Sequence, residues 1–382
     1  MGSRGGKRSR GPARLLGAFG ILVLLIALLV GTVAAARLQH GSARQRLDLR
    51  IFTRVGDPGQ PEPIAIGPDR RVYVGTNQLG KGDAAAPSRV FAYSRAGKLV
   101  RQYVVKGQQL DEDHGIQGLA FDGRGRLFAL DRSADPRVIV LDPKTGRQRT
   151  YARFRDVPPC DAGQSGDCSA TLGDASAEPD YAAFGPGGAL YVTDIEQALI
   201  WRVPRGGGPA SVWLTDPRLE SIFGPNGIQF VDGGRSLLLA VTATFPAPSD
   251  PPASGALFKV PLRGARRQPG QLELFWRSRP VDGPDGFAVG RSGAVYLALA
   301  GANQIVVISP GGEELARVPP NLDENASMEV PLDGPASAAF LGRRVLVTNQ
   351  STAGNPSSWA VFDLYAGERG LPLFRPRIRP RT

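Results

Sequence analysis

The sequence predicts an all-β protein, a six-bladed β-propeller with an N-terminal transmembrane helix. Three observations predict it. One short pattern recurs six times at intervals of 46 to 63 residues, a spacing typical of propeller blades. The chain has 49 Gly and 33 Pro in 382 residues, a composition typical of a fold with many tight turns. One long uncharged apolar stretch near the N terminus differs from everything that follows it.

The N-terminal segment predicts a membrane anchor. Residues 1–14 hold five basic side chains and no acid, and residues 15–36 hold no charge. As a helix, 22 residues rise about 33 Å, which spans the hydrocarbon core of a bilayer. A basic flank favours a cytoplasmic N terminus, so we expect an extracytoplasmic propeller. Residues Ala34-Ala35-Ala36 leave open a signal-peptidase site, and cleavage there would give a secreted protein.

Residues 37–46 are a predicted linker, residues 47–376 the propeller and residues 377–382 a basic tail. Nine Lys and Arg lie in residues 1–14 and 375–382, which contain no acid, so the body is nearly neutral despite a net charge of +11. This balance argues against nucleic acid as a partner. We expect a monomer whose tail is solvated or touches an anionic polymer or lipid.

The two cysteines, Cys160 and Cys168, lie in a stretch rich in Gly, Asp and Ser. In an exported chain this spacing favours a small disulfide-closed loop, with free thiols as the alternative. Two thiols without a histidine close by in the sequence do not make a zinc site.

Each repeat begins with one variable position at the start of its first strand. A small residue follows, and an apolar residue lies four places after the variable position. A turn and a second, apolar strand come next. We call these first positions the slot residues: Glu62, Gln117, Asp180, Asn226, Asp285 and Ala336. Two further strands complete a four-stranded antiparallel unit. Residues 47–55 are predicted to supply the outer strand of the last unit and close the ring. A β-sandwich is the alternative, but it would not repeat one position six times.

The innermost strand of a blade lines the central channel, so all six slot residues are predicted to point toward one axis near one face. Three carboxylates and an amide oxygen would converge there: Glu62, Asp180, Asp285 and Asn226. Buried carboxylates repel unless their pKa values rise or a cation lies among them. Oxygen-only ligands favour Ca²⁺, Mg²⁺ or Mn²⁺ over Zn²⁺. The alternative is that polar residues begin these strands because they border solvent.

Two short signatures, Pro225-Asn226-Gly227-Ile228 and Pro284-Asp285-Gly286-Phe287, resemble the SMP-30/gluconolactonase/LRE-like propellers. The C-terminal stretches 361–364 and 370–373 are similar to that family too. The resemblance implies an axial divalent cation, usually Ca²⁺, held by a Glu of the first blade, two Asn and an Asp. Those roles would fall on Glu62, Asp180, Asn226 and Asp285, where Asp180 departs from the usual Asn.

The resemblance further implies metal-assisted hydrolysis of a lactone or related ester. Asp285 would be both a ligand and the general base, with Gln117 orienting the substrate. His114 is a candidate acid or base at the same rim, with a bystander role as the alternative. A non-catalytic propeller that binds a peptide, glycan or cell-wall ligand is the rival function. A strictosidine-synthase-like enzyme is a third, which the acidic slots disfavour. The lack of a G-x-S-x-G elbow and the presence of only two histidines, His40 and His114, argue against a serine triad.

Overall fold

The computed structural model describes residues 1–2, 44–78, 86–161, 167–171, 175–220, 223–243, 254–264, 267–351 and 354–378. The chain divides into two units, Met1–Gln45 and Arg46–Thr382, and every described strand lies in the second. The predicted transmembrane segment, 15–36, lies outside the described residues. Among the residues that are described, no helix has the length and apolarity to cross a membrane.

The fold is an all-β propeller, as the sequence predicts. Antiparallel pairing joins the described strands into three four-stranded sheets, one five-stranded sheet and one eight-stranded sheet. The eight-stranded sheet consists of two four-stranded groups joined by one two-residue pairing, so we divide the strands into six groups of four, which we number as units 1 to 6. The first three units contain β2–β5 (Pro61–Ile66, Val72–Gln78, Arg89–Tyr93, Leu99–Val104), β6–β9 (His114–Phe121, Leu127–Arg132, Arg137–Leu141, Gln148–Arg153) and β10–β13 (Pro179–Phe184, Leu190–Asp194, Leu199–Val203, Ser211–Thr215).

The last three units contain β14, β15, β16 and β18 (Pro225–Val231, Ser236–Val241, Ser254–Arg263, Glu273–Pro280), β19–β22 (Pro284–Val289, Val295–Leu299, Gln304–Ile308, Glu314–Val318), and β23, β24, β25 and β1 (Pro335–Leu341, Arg344–Asn349, Ala360–Tyr365, Leu49–Arg54). A two-residue strand, β17 (Gln268–Pro269), pairs with β16. The described parts of the connections carry one short helix, α1 (Leu322–Ala326), and 3₁₀ turns at Pro217–Leu219, Asp232–Gly234 and Pro356–Ser358.

The ring closes through the start of the chain. Strand β1 pairs antiparallel with β25, with Leu49 opposite Leu364, so the segment before the first unit supplies the outer strand of the last one. This confirms the predicted closure. Pairing of this kind leaves no long exposed edge where the two ends of the sheet series meet.

The core lies between neighbouring sheets. Each of the six apolar clusters in the described residues joins two consecutive units. The cluster that joins unit 6 to unit 1 contains Leu346 and Val361 on one side and Val72 and Val74 on the other, all fully buried. Because every unit packs on two neighbours, the first strands of all six face a common channel.

The turn after each first strand places at least one residue in the left-handed conformation. Gly293 adopts it in unit 5 with φ 88°, and Arg70, which replaces glycine in unit 1, adopts it with φ 62°. A side chain at such a φ is strained, which explains why glycine recurs eight places after the slot residue.

The two cysteines form a disulfide, Cys160–Cys168, with their Cα atoms 5.0 Å apart. This confirms the predicted pairing. The loop that it closes follows the last strand of unit 2.

The C-terminal residues 368–378, which we call the strap, cross the ring where the first strands end, and we call this face the base of the ring. The Leu371 N–H donates to Val289 O in unit 5, Arg375 Nη2 donates to Ile66 O in unit 1, and Gly123 N–H in unit 2 donates to Pro376 O. We expected a solvated basic tail from residue 377, but Ile378 is buried and its carbonyl accepts from Arg126. The packed body therefore extends to Ile378.

Candidate metal centre

The six slot residues share one structural feature, a β-bulge. In every unit the register between the first and second strands shifts across the slot residue. The shifts fall between Pro61 and Ile64, Ile116 and Gly118, Pro179 and Ala182, Pro225 and Ile228, Pro284 and Phe287, and Pro335 and Ala338. A bulge leaves its extra residue unpaired and redirects the side chain. The same local geometry therefore presents all six slot residues.

Backbone contacts show that slot residues of consecutive units are neighbours. A Cβ added to Gly227, directly after Asn226, would lie 2.7 Å from Asp285 O. A Cβ on Gly286 would lie 2.8 Å from Ala336 O, and Thr348 Oγ1 of unit 6 donates to Glu62 O at 2.7 Å. Glycine after the slot residue thus permits a close approach of adjacent first strands. The slots form one layer around the channel.

The structure brings three predicted carboxylates into electrostatic range of one another. Glu62 and Asp180 are each 4% exposed and Asp285 is 9% exposed. Burial raises the pKa of Glu62 well above its ordinary value, and the charges of Asp180 and Asp285 raise it further. Burial also raises the pKa of Asp180, with repulsion from Asp285 as the next cause. For Asp285, burial raises the pKa while the Gly286 N–H opposes it.

Two buried acceptors of the layer lack a partner. Glu62 Oε2 and Gln117 Oε1 form no hydrogen bond with any described residue. Asn226 Nδ2 donates to Thr242 Oγ1 at 2.8 Å, so the amide oxygen is the atom of that side chain that could act as a ligand. A buried acceptor without a hydrogen-bond donor lowers the stability of the fold. A cation bound to the acceptor oxygen would remove that loss.

These residues fit a divalent cation in their chemistry, but they are not gathered as a chelate. Among the described residues, no three His, Cys, Asp or Glu side chains come close enough together to hold an ion by themselves. The three carboxylates lie within electrostatic range of one another, and the fourth donor is an amide. The donor set is all oxygen, which suits Ca²⁺ or Mg²⁺.

His114 lies in strand β6 and is fully buried. Its Nδ1 lies 2.8 Å from Glu112 O and its Nε2 lies 2.9 Å from Ala86 O. Because both ring nitrogens face backbone carbonyls, neither has a free position for a substrate proton. The geometry favours the bystander alternative, and we assign His114 no catalytic role.

Sequence reasoning missed a charged pair beside the layer. Arg132 forms an ion pair with Glu178 at 2.9 Å, both partly exposed. The Arg132 charge lowers the pKa values of Glu62 and Asp180. Burial raises the pKa of Glu178 to about 7, which the Arg132 charge opposes. Arg132 is the last residue of the second strand of unit 2. Glu178 precedes the slot residue Asp180 by two positions, and this short spacing is the sequence signal that could have identified Glu178.

Tyr181 was also missed, although it directly follows the slot residue Asp180. Its hydroxyl donates to Ala336 O at 3.2 Å, across from unit 3 to unit 6. Burial raises the pKa of Tyr181 well above its ordinary value, and the three ring carboxylates raise it further. Tyr181 therefore lies beside the acidic layer as a neutral phenol.

The fold and the layer of oxygen donors define a class: an all-β propeller with a candidate divalent-cation site on its axis. No protein-family model matches the chain, and no curated protein matches it. The similarity is found in solved structures. Regucalcin from Agrobacterium tumefaciens, described as a calcium-binding protein, has a TM-score of 0.57 and 19% identity, covering 86% of this chain and 98% of that one.

A gluconolactonase from Xanthomonas campestris has a TM-score of 0.53 and 18% identity, covering 86% of this chain and 91% of its own. A luciferin-regenerating enzyme has a TM-score of 0.57 and 11% identity, covering 87% of this chain and 100% of its own. These are the kinds of protein that the predicted resemblance to the SMP-30/gluconolactonase propellers names. At these identities the likeness is one of fold.

Proposed function

We propose that the chain is a six-bladed propeller hydrolase that opens a lactone or related ester with the help of a divalent cation. The observation that carries the proposal is the layer of slot residues. Glu62, Asp180 and Asp285 are buried within electrostatic range of one another, and Glu62 Oε2 has no partner among the described residues. Such a layer suits a bound cation better than a structural core, because buried carboxylates that repel one another destabilise a fold.

Glu62, Asp180, Asn226 and Asp285 are the residues that would hold the ion, with Ca²⁺ the first choice for oxygen donors. When bound, such an ion supplies Lewis acidity toward an ester carbonyl. Asp180 in place of an amide adds a third carboxylate to the set. The extra negative charge strengthens attraction for a divalent cation.

Asp285 is the proposed general base. Its carboxylate accepts a proton from the water whose oxygen attacks the ester carbonyl carbon. The carbon–oxygen bond of the lactone then breaks, and Asp285 returns the proton to the departing alkoxide. Gln117 Oε1, buried and without a donor among the described residues, would accept a hydrogen bond from a substrate hydroxyl.

The test is hydrolysis of a lactone and aryl-ester panel by the purified full-length protein, with Ca²⁺ and with chelator. We expect turnover that the chelator removes. Asp285→Asn keeps the side-chain shape but removes the base, so kcat/KM is expected to fall by about a hundredfold or more. Asp135→Asn is the matched control, because Asp135 is an exposed carboxylate paired with Arg153 on the outside.

The rival function is a non-catalytic propeller that binds a peptide, glycan or cell-wall ligand. A folded protein that binds Ca²⁺ but turns over no lactone or ester would favour that rival. Equal activity of Asp285→Asn and Asp135→Asn would remove Asp285 from the mechanism.

We also propose that the propeller works outside the cytoplasm, anchored by residues 15–36. The Cys160–Cys168 disulfide supports this, because disulfides persist in oxidising compartments. Fractionation of cells tests it: the protein should sediment with membranes and be degraded by protease added outside the cytoplasmic membrane. Recovery in the cytosolic fraction would contradict it.

A further inference from the structure

A cavity of about 460 Å³ lies along the channel below the slot layer. Its walls are residues one to four places after the slot residues, two turn residues (Arg291 and Gly342) and part of the strap, and no slot residue lines it. The cavity therefore adjoins the candidate metal centre without including its slot residues. Its size is that of sites that hold small organic ligands.

The channel is open at this level because of one repeated position. Three places after the slot residue, five of the six units have alanine: Ala65, Ala120, Ala183, Ala288 and Ala339. All five line the cavity. A ring of methyl groups leaves space that larger side chains would fill, and the walls are otherwise mostly apolar.

In unit 4 the equivalent position is occupied by Gln229 instead of alanine. This side chain is 6% exposed and lines the cavity. Its Oε1 accepts from the Val289 N–H at 3.3 Å, whereas its Nε2 has no acceptor among the described residues. A buried donor of this kind is matched by a ligand with an acceptor oxygen.

The charged side chains that line the cavity all have one sign. Arg291, Arg369 and Arg375 line it, and no Asp or Glu among the described residues does. Arg375 Nη2 donates to Ile66 O, so the strap holds a guanidinium group against the base of the channel. This electrostatic environment favours an anionic ligand over a neutral or cationic one.

We propose that the cavity binds a fatty acid or similar carboxylate with an apolar chain. The apolar chain of the ligand packs against the ring of alanines. A carboxylate oxygen of the ligand accepts a hydrogen bond from Gln229 Nε2, and its negative charge is attracted to the three arginines. The site lies outside the proposed hydrolase centre and does not depend on its activity.

Isothermal titration of the full-length protein with decanoate, in the presence of chelator, tests the proposal. We expect saturable binding that is weaker for the uncharged methyl decanoate. Gln229→Leu removes the donor at similar size and should weaken decanoate binding about tenfold. The control is Gln102→Leu, at an exposed glutamine of strand β5, which should bind decanoate as the wild type does.

Filling the cavity gives an independent arm. Ala120→Phe should abolish decanoate binding, and Ala339→Phe, two units away around the ring, provides a second variant if the first fails to fold by circular dichroism. The proposal is overturned if the wild type shows no saturable binding of decanoate. It is also overturned if a folded cavity-filling variant binds decanoate normally, or if methyl decanoate binds as tightly as decanoate. Because no turnover is measured, failure of the hydrolase proposal would leave these results unchanged.

Discussion

One added methyl group at Gly227 tests whether the slot residues are neighbours. Gly227 is buried and does not need a left-handed backbone, so alanine is conformationally allowed there. Its Cβ would lie 2.7 Å from Asp285 O and 2.9 Å from Phe287 Cδ1. At those distances the first strands of units 4 and 5 must move apart. Overpacking of this kind costs about 1–3 kcal/mol of unfolding free energy.

The assay is urea unfolding of Gly227→Ala beside Gly187→Ala, both in chelator. Gly187 is exposed and a Cβ there meets no atom within 4 Å. Both substitutions remove the same freedom from the unfolded chain, so their difference isolates the contacts of the added Cβ with the first strand of unit 5. We expect Gly187→Ala to stay within about 0.5 kcal/mol of the wild type. Equal unfolding midpoints for the two variants would refute the close approach of the slots.

Two further predictions concern charge. Burial and repulsion raise the folded-state pKa values of the three ring carboxylates, Glu62, Asp180 and Asp285. The ordinary pKa of a carboxyl group is about 4. Metal-free protein should therefore lose stability as the pH rises from about 4 toward the folded-state pKa values, because these groups then ionise at a cost to the folded state. Asp180→Asn should flatten that loss in urea titrations with chelator, and an unchanged pH profile would contradict this. Arg317→Ala should cost about 3–5 kcal/mol in urea unfolding, because Arg317 and Asp282 form an ion pair with side chains only 6% and 5% exposed. Removal of the exposed Arg50, paired with Asp48, should cost under about 1 kcal/mol, and equal effects of the two would contradict the reasoning.

The sequence repeat was enough to predict the first three strands of each unit and the closing strand, because apolar periodicity and turn glycines are local signals. It also grouped Glu62, Asp180 and Asp285 correctly, since equivalent positions in a repeat occupy equivalent places in a ring. The pairing of β1 with β25 followed from the need to complete the last unit.

The bulge at each slot could not be predicted from hydrophobic pattern, because a bulge is a property of two paired strands. A local signal was present, however. Proline precedes the slot residue in five units: Pro61, Pro179, Pro225, Pro284 and Pro335. Proline cannot donate to a strand ladder, so its recurrence next to the slot marks an irregular pairing.

The positions of the strap and of the His114 side chain could not be predicted from local sequence patterns. The residues from Leu371 to Ile378 look like a basic, proline-rich tail, and only long-range contacts with five different units hold them in place. The surroundings of His114 are also non-local, since Ala86 O comes from a segment 28 residues away. No sequence spacing indicates that both ring nitrogens are occupied.

The most direct test of the central claim is calcium titration of the chelated full-length protein by calorimetry, beside Asn226→Ala. The claim is that donors from four units meet around one ion, so we predict saturable binding of one Ca²⁺ per chain and a clear loss of affinity in the variant, whose only removed ligand is an amide oxygen. A folded wild-type protein that binds no Ca²⁺, Mg²⁺ or Mn²⁺, or a variant that binds as tightly as the wild type, would contradict it.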